Sequence, residues 1–131
     1  KRERASSNIC SNEALCALTA AVYMAAMGPE GLKEAAQRCL SNAHYLQEGL
    51  EKAGFKRVHG QSFFHEFVTE HPCSKELLHQ LDEAGILGGL LLDDERILWC
   101  ATEKNTRAQM DEVIRIAAAV SDGFQQGGDK K

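Results

Sequence analysis

The chain has 131 residues, 44 % of them hydrophobic and 26 % charged, with a formal net charge of -4 and a sequence pI near 5.7. That is an ordinary globular composition, long enough for one domain with a core of its own. It argues against a nucleic-acid binder, because the cations are scattered apart from Lys1–Arg4 and the Lys130-Lys131 tail and form no basic field. The longest apolar stretch, Leu15 to Met27, carries Thr19 and Tyr23 and falls short of the ~18–20 residues of a membrane span, and no signal peptide is visible.

The first predicted helix starts at Asn12 as N-cap, with Glu13 in its first turn complementing the helix dipole. From Ala14 to Met27 apolar residues cover every face, so this helix is expected to be buried on most sides. Gly28 ends it, and Pro29 suits the start of the next. That second helix carries a cleaner stripe, Leu32, Ala35, Ala36, Cys39, Ala43, Leu46, Leu50 and Ala53, at three- and four-residue steps, and Gly54 stops it.

The period then changes to two. Phe55–Val58 reads as a short strand. In a second strand Phe63, His65, Phe67 and Thr69 fall on one face, with Phe64, Glu66 and Val68 on the other. Ser74 is the expected cap of a short helix with the stripe Leu77, Leu78, Leu81 and Ala84, closed by Gly85. Ile86–Leu92 and Ile97–Thr102 are expected strands flanking the acidic turn Asp93-Asp94-Glu95. The last helix opens with a capping box, Thr106 and Gln109, and carries Met110, Val113, Ile114, Ala117 and Val120. After Asp122 the sequence turns Gly-rich and charged, so the expected domain is 1–122, with 123–131 a disordered tail. The fold class is α+β: a small antiparallel or mixed sheet with helices on one face.

Five cysteines, Cys10, Cys16, Cys39, Cys73 and Cys100, are an odd number. Three sit among apolar neighbours, which fits free thiols in a reducing cytoplasm better than a disulfide framework. His65, His71 and Cys73 are close in sequence, but no C-x-x-C pair exists and ordinary core or surface roles account for them, so no metal site is expected. Cys10 near a helix start would have a favourable setting for a lowered pKa, yet nothing supplies a positioned base. Glu66 between Phe64 and Phe67 could be a raised-pKa acid; facing solvent or pairing with an Arg is the commoner role. Gly85-x-x-Gly88-Gly89 lacks the strand-then-helix context of a phosphate cradle and reads instead as a helix stop and a bulged strand entry. None of the eight lysines suits a desolvated Schiff-base amine.

The opening segment, Lys1-Arg-Glu-Arg-Ala-Ser-Ser-Asn-Ile-Cys-Ser-Asn-Glu-Ala-Leu15, resembles the P-protein family of the glycine cleavage system, glycine dehydrogenase (decarboxylating), and in particular the alpha chain, subunit 1, of its two-subunit form. Where the family reads close to R-R-E-K-A-T-S-N-I-C-T-N-Q-A-L, Arg2, Glu3, Ala5, Ser7, Asn8, Ile9, Cys10, Asn12, Ala14 and Leu15 match in register. Phe63-Phe-His-Glu-Phe-Val68 is similar to its F-F-N-E-F-V, Gly85-Ile-Leu-Gly-Gly-Leu90 to its G-I-I-G-G-L, and Cys100-Ala-Thr-Glu103 to its C-V-T-E. One departure is the acidic Leu91-Leu92-Asp93-Asp94-Glu95, where the family continues with Pro-Leu-Gly and an aromatic-rich turn; any partner contact made by that longer turn is in doubt here.

The resemblance implies the small C-terminal domain of a fold-type I pyridoxal phosphate (PLP) enzyme, and the chain, which starts without Met inside a motif, is expected to be an excised C-terminal domain. It also implies a cytoplasmic heterotetramer that decarboxylates glycine on PLP and passes the aminomethyl group to the lipoyl group of the H-protein. The cofactor lysine then belongs to the beta chain, subunit 2, and this domain binds no PLP by itself and has no catalytic residue. Residues near the active site are expected in the opening motif: Arg2 and Arg4 for a carboxylate or phosphate, Ser7 and Asn8 for polar atoms of substrate or backbone, and Cys10 beside them. The plainer alternative is a solvated, frayed terminus with Asn8 a turn former. A different class of function is a stand-alone α+β interaction or regulatory module.

Overall fold

A computed structural model describes residues 13–128, which fall into two compact units divided between Glu34 and Ala35. The element order is α1 (Ala14–Lys52), β1 (Lys56–Arg57), β2 (Glu66–Glu70), α2 (Ser74–Glu83), β3 (Leu90–Leu91), β4 (Arg96–Cys100) and α3 (Arg107–Gly128).

The expected helix stop and restart at Gly28-Pro29 appears as a kink inside α1, with Gly28 at φ 63, ψ 178. No atom lies within 4 Å of a Cβ built there, so the glycine is needed for its left-handed φ and not for space. In the first unit the residues from Ala14 to the break are helical. Leu15, Leu18, Val22 and Met24 are all more than half exposed, contrary to the expected burial. The physical reason is that, among the described residues, this unit supplies no second element to cover an all-apolar helix. By length and composition α1 as a whole is long and apolar enough to cross a membrane, whereas the stretch Leu15–Met27 alone is too short. The break at Gly28 limits the straight apolar portion, Ala14 to Met27, to about 21 Å at 1.5 Å per residue, short of the ~30 Å hydrocarbon core.

The second unit is a four-stranded sheet in the order β1-β2-β4-β3, every pair antiparallel. Phe67 and Thr69 on β2 and Ile97 and Trp99 on β4 form the buried face, as the alternation predicts. Helices cover that face: Ala43, Leu46 and Leu50 from α1, Leu77 and Leu81 from α2, and Met110, Val113, Ile116 and Ala117 from α3. The fold is therefore α+β with an antiparallel sheet.

Both expected glycine stops are Schellman ends. At Gly54 (φ 98) the Phe55 N–H bonds the Leu50 carbonyl and the Gly54 N–H that of Glu51. At Gly85 (φ 73) Ile86 N–H reaches Leu81 and Gly85 N–H reaches Asp82 in the same pattern. The capping box forms as expected: Gln109 Oε1 accepts from Thr106 N–H at 2.9 Å, and Thr106 Oγ1 from Gln109 N–H at 3.3 Å.

Three local expectations differ. Ser74 does not cap α2; the N-cap is Cys73, and the buried Ser74 hydroxyl instead donates to the Glu95 carbonyl at 2.7 Å, tying α2 to the acidic hairpin. The strand expected over Ile86–Leu92 shrinks to Leu90–Leu91, because Ile86 is used in the helix end and Gly88 lies against Leu78 and Leu81. The last helix runs past Asp122 through Phe124 to Gly128, where a tail is expected from residue 123; the Phe124 ring meets the His71 ring edge-on at 5.8 Å. Residues 129–131 lie outside the described residues.

Candidate functional site

Three of the segments singled out in the sequence meet at one cavity of about 530 Å³ in the second unit. Glu66 comes from Phe63–Val68, the wall from Gly85 to Leu90 is the glycine segment, and Cys100 and Ala101 begin Cys100–Glu103. Trp99, Met110 and Val113 supply apolar floor, and Asn105 and Gln109 the remaining polar groups.

Strand register builds the rim. Glu66 and Cys100 are direct partners across β2 and β4 and both are exposed, on the face opposite Phe67 and Trp99. His65 extends the pairing, its carbonyl accepting from Ala101 N–H at 3.0 Å. Its ring meets Phe64 edge-on at 4.7 Å, and its Nδ1 is buried with no hydrogen-bond partner. Ligand atoms of His65, Glu66 and Cys100 all lie within 4.8 Å of one another. Partial burial, reinforced by the Glu66 carboxylate, pushes the Cys100 thiol pKa up.

The glycines act by close approach. A Cβ on Gly89 would stand 2.4 Å from the Leu98 carbonyl oxygen and 2.5 Å from Ile97 Cγ2, and one on Gly88 would stand 2.8 Å from Leu78 Cδ2. The segment is a packed strap against β4 and α2, in keeping with the reading as helix stop and strand entry.

The turn after Cys100 is held from α1. Asn42 Nδ2 donates to the carbonyls of Thr102 at 2.9 Å and Asn105 at 3.0 Å. Cys39 Sγ donates to Glu103 Oε2 at 3.2 Å and accepts from Glu103 N–H at 3.3 Å. Burial, then the hydrogen bond to Glu103, raises the Cys39 thiol pKa, and the same bond lowers that of Glu103.

His71 and Cys73, grouped with His65 in the sequence, occupy a different place. Cys73 N–H donates to His71 Nδ1 at 3.2 Å, which makes Nδ1 the acceptor, and Cys73 Sγ lies 2.8 Å from the same atom. Ser121 Oγ lies 3.5 Å from Nε2, and the ring is 4.5 Å from Phe55. Burial lowers the His71 pKa and raises that of Cys73, so the pair is a neutral imidazole and a neutral thiol.

Arg2, Arg4, Ser7, Asn8 and Cys10, the expected active-site neighbours, lie outside the described residues, as does the expected N-cap Asn12. Lys33, Lys52, Lys56, Lys75 and Lys104 are all exposed, and Lys75 pairs with Asp94 at 2.6 Å. None of these five is the desolvated amine that a PLP aldimine requires. The residue most easily missed in the sequence is Cys100: its outward position follows from strand alternation, but its partner Glu66 follows only from the register.

A family model described as Glycine cleavage system P-protein matches residues 1–117. The chain is 40 % identical over 121 residues to the probable glycine dehydrogenase (decarboxylating) subunit 1 of Sulfolobus acidocaldarius, covering 92 % of this chain and 27 % of that protein. The corresponding protein of Thermotoga maritima is 45 % identical over 121 residues, covering 87 % of this chain and 28 % of the relative. Among solved structures, the crystal structure of glycine decarboxylase (P-protein) of the glycine cleavage system, in inhibitor-bound form, is similar with a TM-score of 0.77 and 32 % identity, over 91 % of this chain and 29 % of that one. The chain spans little more than a quarter of the length of these relatives.

Proposed function

Because the chain belongs to the glycine cleavage system P-protein family, we propose that it is one region of subunit 1 of a glycine dehydrogenase (decarboxylating). The whole enzyme decarboxylates glycine with PLP and transfers the remaining aminomethyl group to the lipoyl group of the H-protein. The Schiff-base lysine comes from the beta chain, subunit 2, in a cytoplasmic heterotetramer, and the present region supports the assembly without supplying a catalytic group. Arg2, Arg4, Ser7, Asn8 and Cys10 are its contribution nearest the active site.

The observation that carries this reading is the meeting of three family-like segments at one cavity: Glu66, the Gly85–Leu90 strap and Cys100. Their shared location gives a common reason for their residue types, since the glycines admit β4 and α2 and the strap in turn shapes the cavity wall.

A region swap tests it. The matching part of the Thermotoga maritima subunit 1 is replaced by this chain, and the hybrid is combined with that organism's subunit 2, H-protein and PLP. H-protein-dependent release of carbon dioxide from glycine is expected to persist. A hybrid that assembles with subunit 2 and yet releases none would overturn the proposal.

A further inference from the structure

At and beside the cavity rim stand three side chains of a chemistry the P-protein reading does not use. His65, Glu66 and Cys100 place an imidazole nitrogen, a carboxylate oxygen and a thiol sulfur within 4.8 Å of one another. In a tetrahedral zinc site with bonds of ~2.0–2.3 Å, ligand atoms stand ~3.3–3.8 Å apart. The present spread needs only a small contraction of three side chains on adjacent backbone positions.

Two further observations favour a ligand here. Glu66 and Cys100 are direct cross-strand partners, so the sheet register itself holds the carboxylate and the sulfur side by side. His65 Nδ1 is buried without a hydrogen-bond partner, which native structures ordinarily avoid and which ligation through that nitrogen would relieve.

We propose that His65, Glu66 and Cys100 form a divalent metal site of the zinc type, its fourth position open toward the cavity. One sulfur, one nitrogen and one oxygen donor suit a borderline-soft ion; magnesium and calcium prefer all-oxygen sets. Binding displaces the Cys100 thiol proton to solvent, leaves the imidazole neutral and the carboxylate ionised, and so is favoured by rising pH. Glu66 and Cys100 both border the cavity, so water or a small anionic ligand completes the coordination. The site rests on side-chain geometry alone, and its failure would leave the P-protein reading untouched.

The test is cobalt(II) titration of the reduced 131-residue chain, followed by displacement with zinc. One equivalent is expected to give visible bands of tetrahedral cobalt and a near-ultraviolet thiolate-to-cobalt band, both bleached by zinc. Cys100→Ser should abolish the thiolate band, and His65→Asn and Glu66→Gln should each weaken cobalt binding by more than about tenfold. Cys39→Ser and Cys73→Ser should leave the bands in place. His65→Asn keeps a polar side chain at a partly exposed position, so it decides the matter if Cys100→Ser misfolds by circular dichroism. No uptake by the reduced chain, a thiolate band that survives in folded Cys100→Ser, or unchanged affinity in folded His65→Asn would each overturn the proposal.

Discussion

Trp99 donates its indole N–H to the Thr69 hydroxyl at 2.8 Å, inside the core between the sheet and the helices. Trp99 is 3 % exposed and Thr69 fully buried, so neither group has water as an alternative partner. Thr69→Val keeps the shape and removes the acceptor, leaving a buried N–H unsatisfied at a cost of about 1–3 kcal/mol. Urea unfolding followed by Trp99 fluorescence measures it. Thr69→Ser retains the acceptor and should cost less; a Val variant as stable as the parent, with the loss confined to Ser, would show that the methyl group, not the hydrogen bond, is what matters.

The Gly85–Leu90 strap gives a second prediction, an order of sensitivity. At Gly89 the obstructing atoms are a backbone carbonyl at 2.4 Å and a β-branched methyl at 2.5 Å, neither of which can swing away. At Gly88 the nearest atom is the far end of Leu78, at 2.8 Å. Gly89→Ala should therefore destabilise by about 1–3 kcal/mol through overpacking and loosen β3 from β4, and Gly88→Ala by less. Denaturant midpoints for the two variants, with amide exchange at Leu98, would show it; the reverse order would mean that the strap does not sit tightly on β4.

These two cases mark what could be read from the residues and what could not. The Thr106–Gln109 box, the Gly54 and Gly85 helix ends and the alternation of Phe67/Thr69 against Glu66/Val68 are local, and local signals predict them. Ser74 shows the limit: serine before a helical stripe is a good cap, but the Glu95 carbonyl brought near by the hairpin takes its hydroxyl instead. The β3 strand is short for a similar reason, since Gly88 answers to α2 and Gly89 to β4. His65, Glu66 and Cys100 are brought together by strand register, which a single sequence does not specify, so grouping His65 with its sequence neighbours His71 and Cys73 points to the wrong partners.

His71 predicts part of the acid sensitivity. Burial lowers its pKa in the folded state below the ordinary value of 6.5. The unfolded chain therefore binds the proton more readily, so the stabilising contribution is complete above about pH 6.5 and is lost as pH falls through the folded value. The groups facing the ring are Cys73, Ser121, Phe55 and Phe124, none of them a carboxylate that would offset the effect. Between pH 7.5 and 5 the melting temperature of the parent chain should fall more steeply than that of His71→Gln. Parallel slopes would mean that the imidazole protonates without penalty.

Thiol chemistry supplies the last prediction. Among the described residues Cys16 is exposed on α1, Cys100 is exposed with a raised pKa, Cys39 is partly buried with a raised pKa, and Cys73 is buried at 6 % exposure with a raised pKa. Alkylation requires thiolate and access together, so iodoacetamide should modify Cys16 first, then Cys100, then Cys39, and Cys73 only on unfolding. Peptide mass spectrometry at successive times gives the order. Glu103→Gln then separates the two factors at Cys39. The carboxylate is an acceptor for the thiol proton and a negative charge beside the incipient thiolate, and both raise the pKa. The Gln variant keeps a side chain of the same size with an acceptor oxygen but no charge, so Cys39 should be alkylated faster with the fold unchanged. An unaltered rate would mean that access alone limits Cys39, and that the Cys39–Glu103 contact serves only to hold the turn after Cys100 against α1.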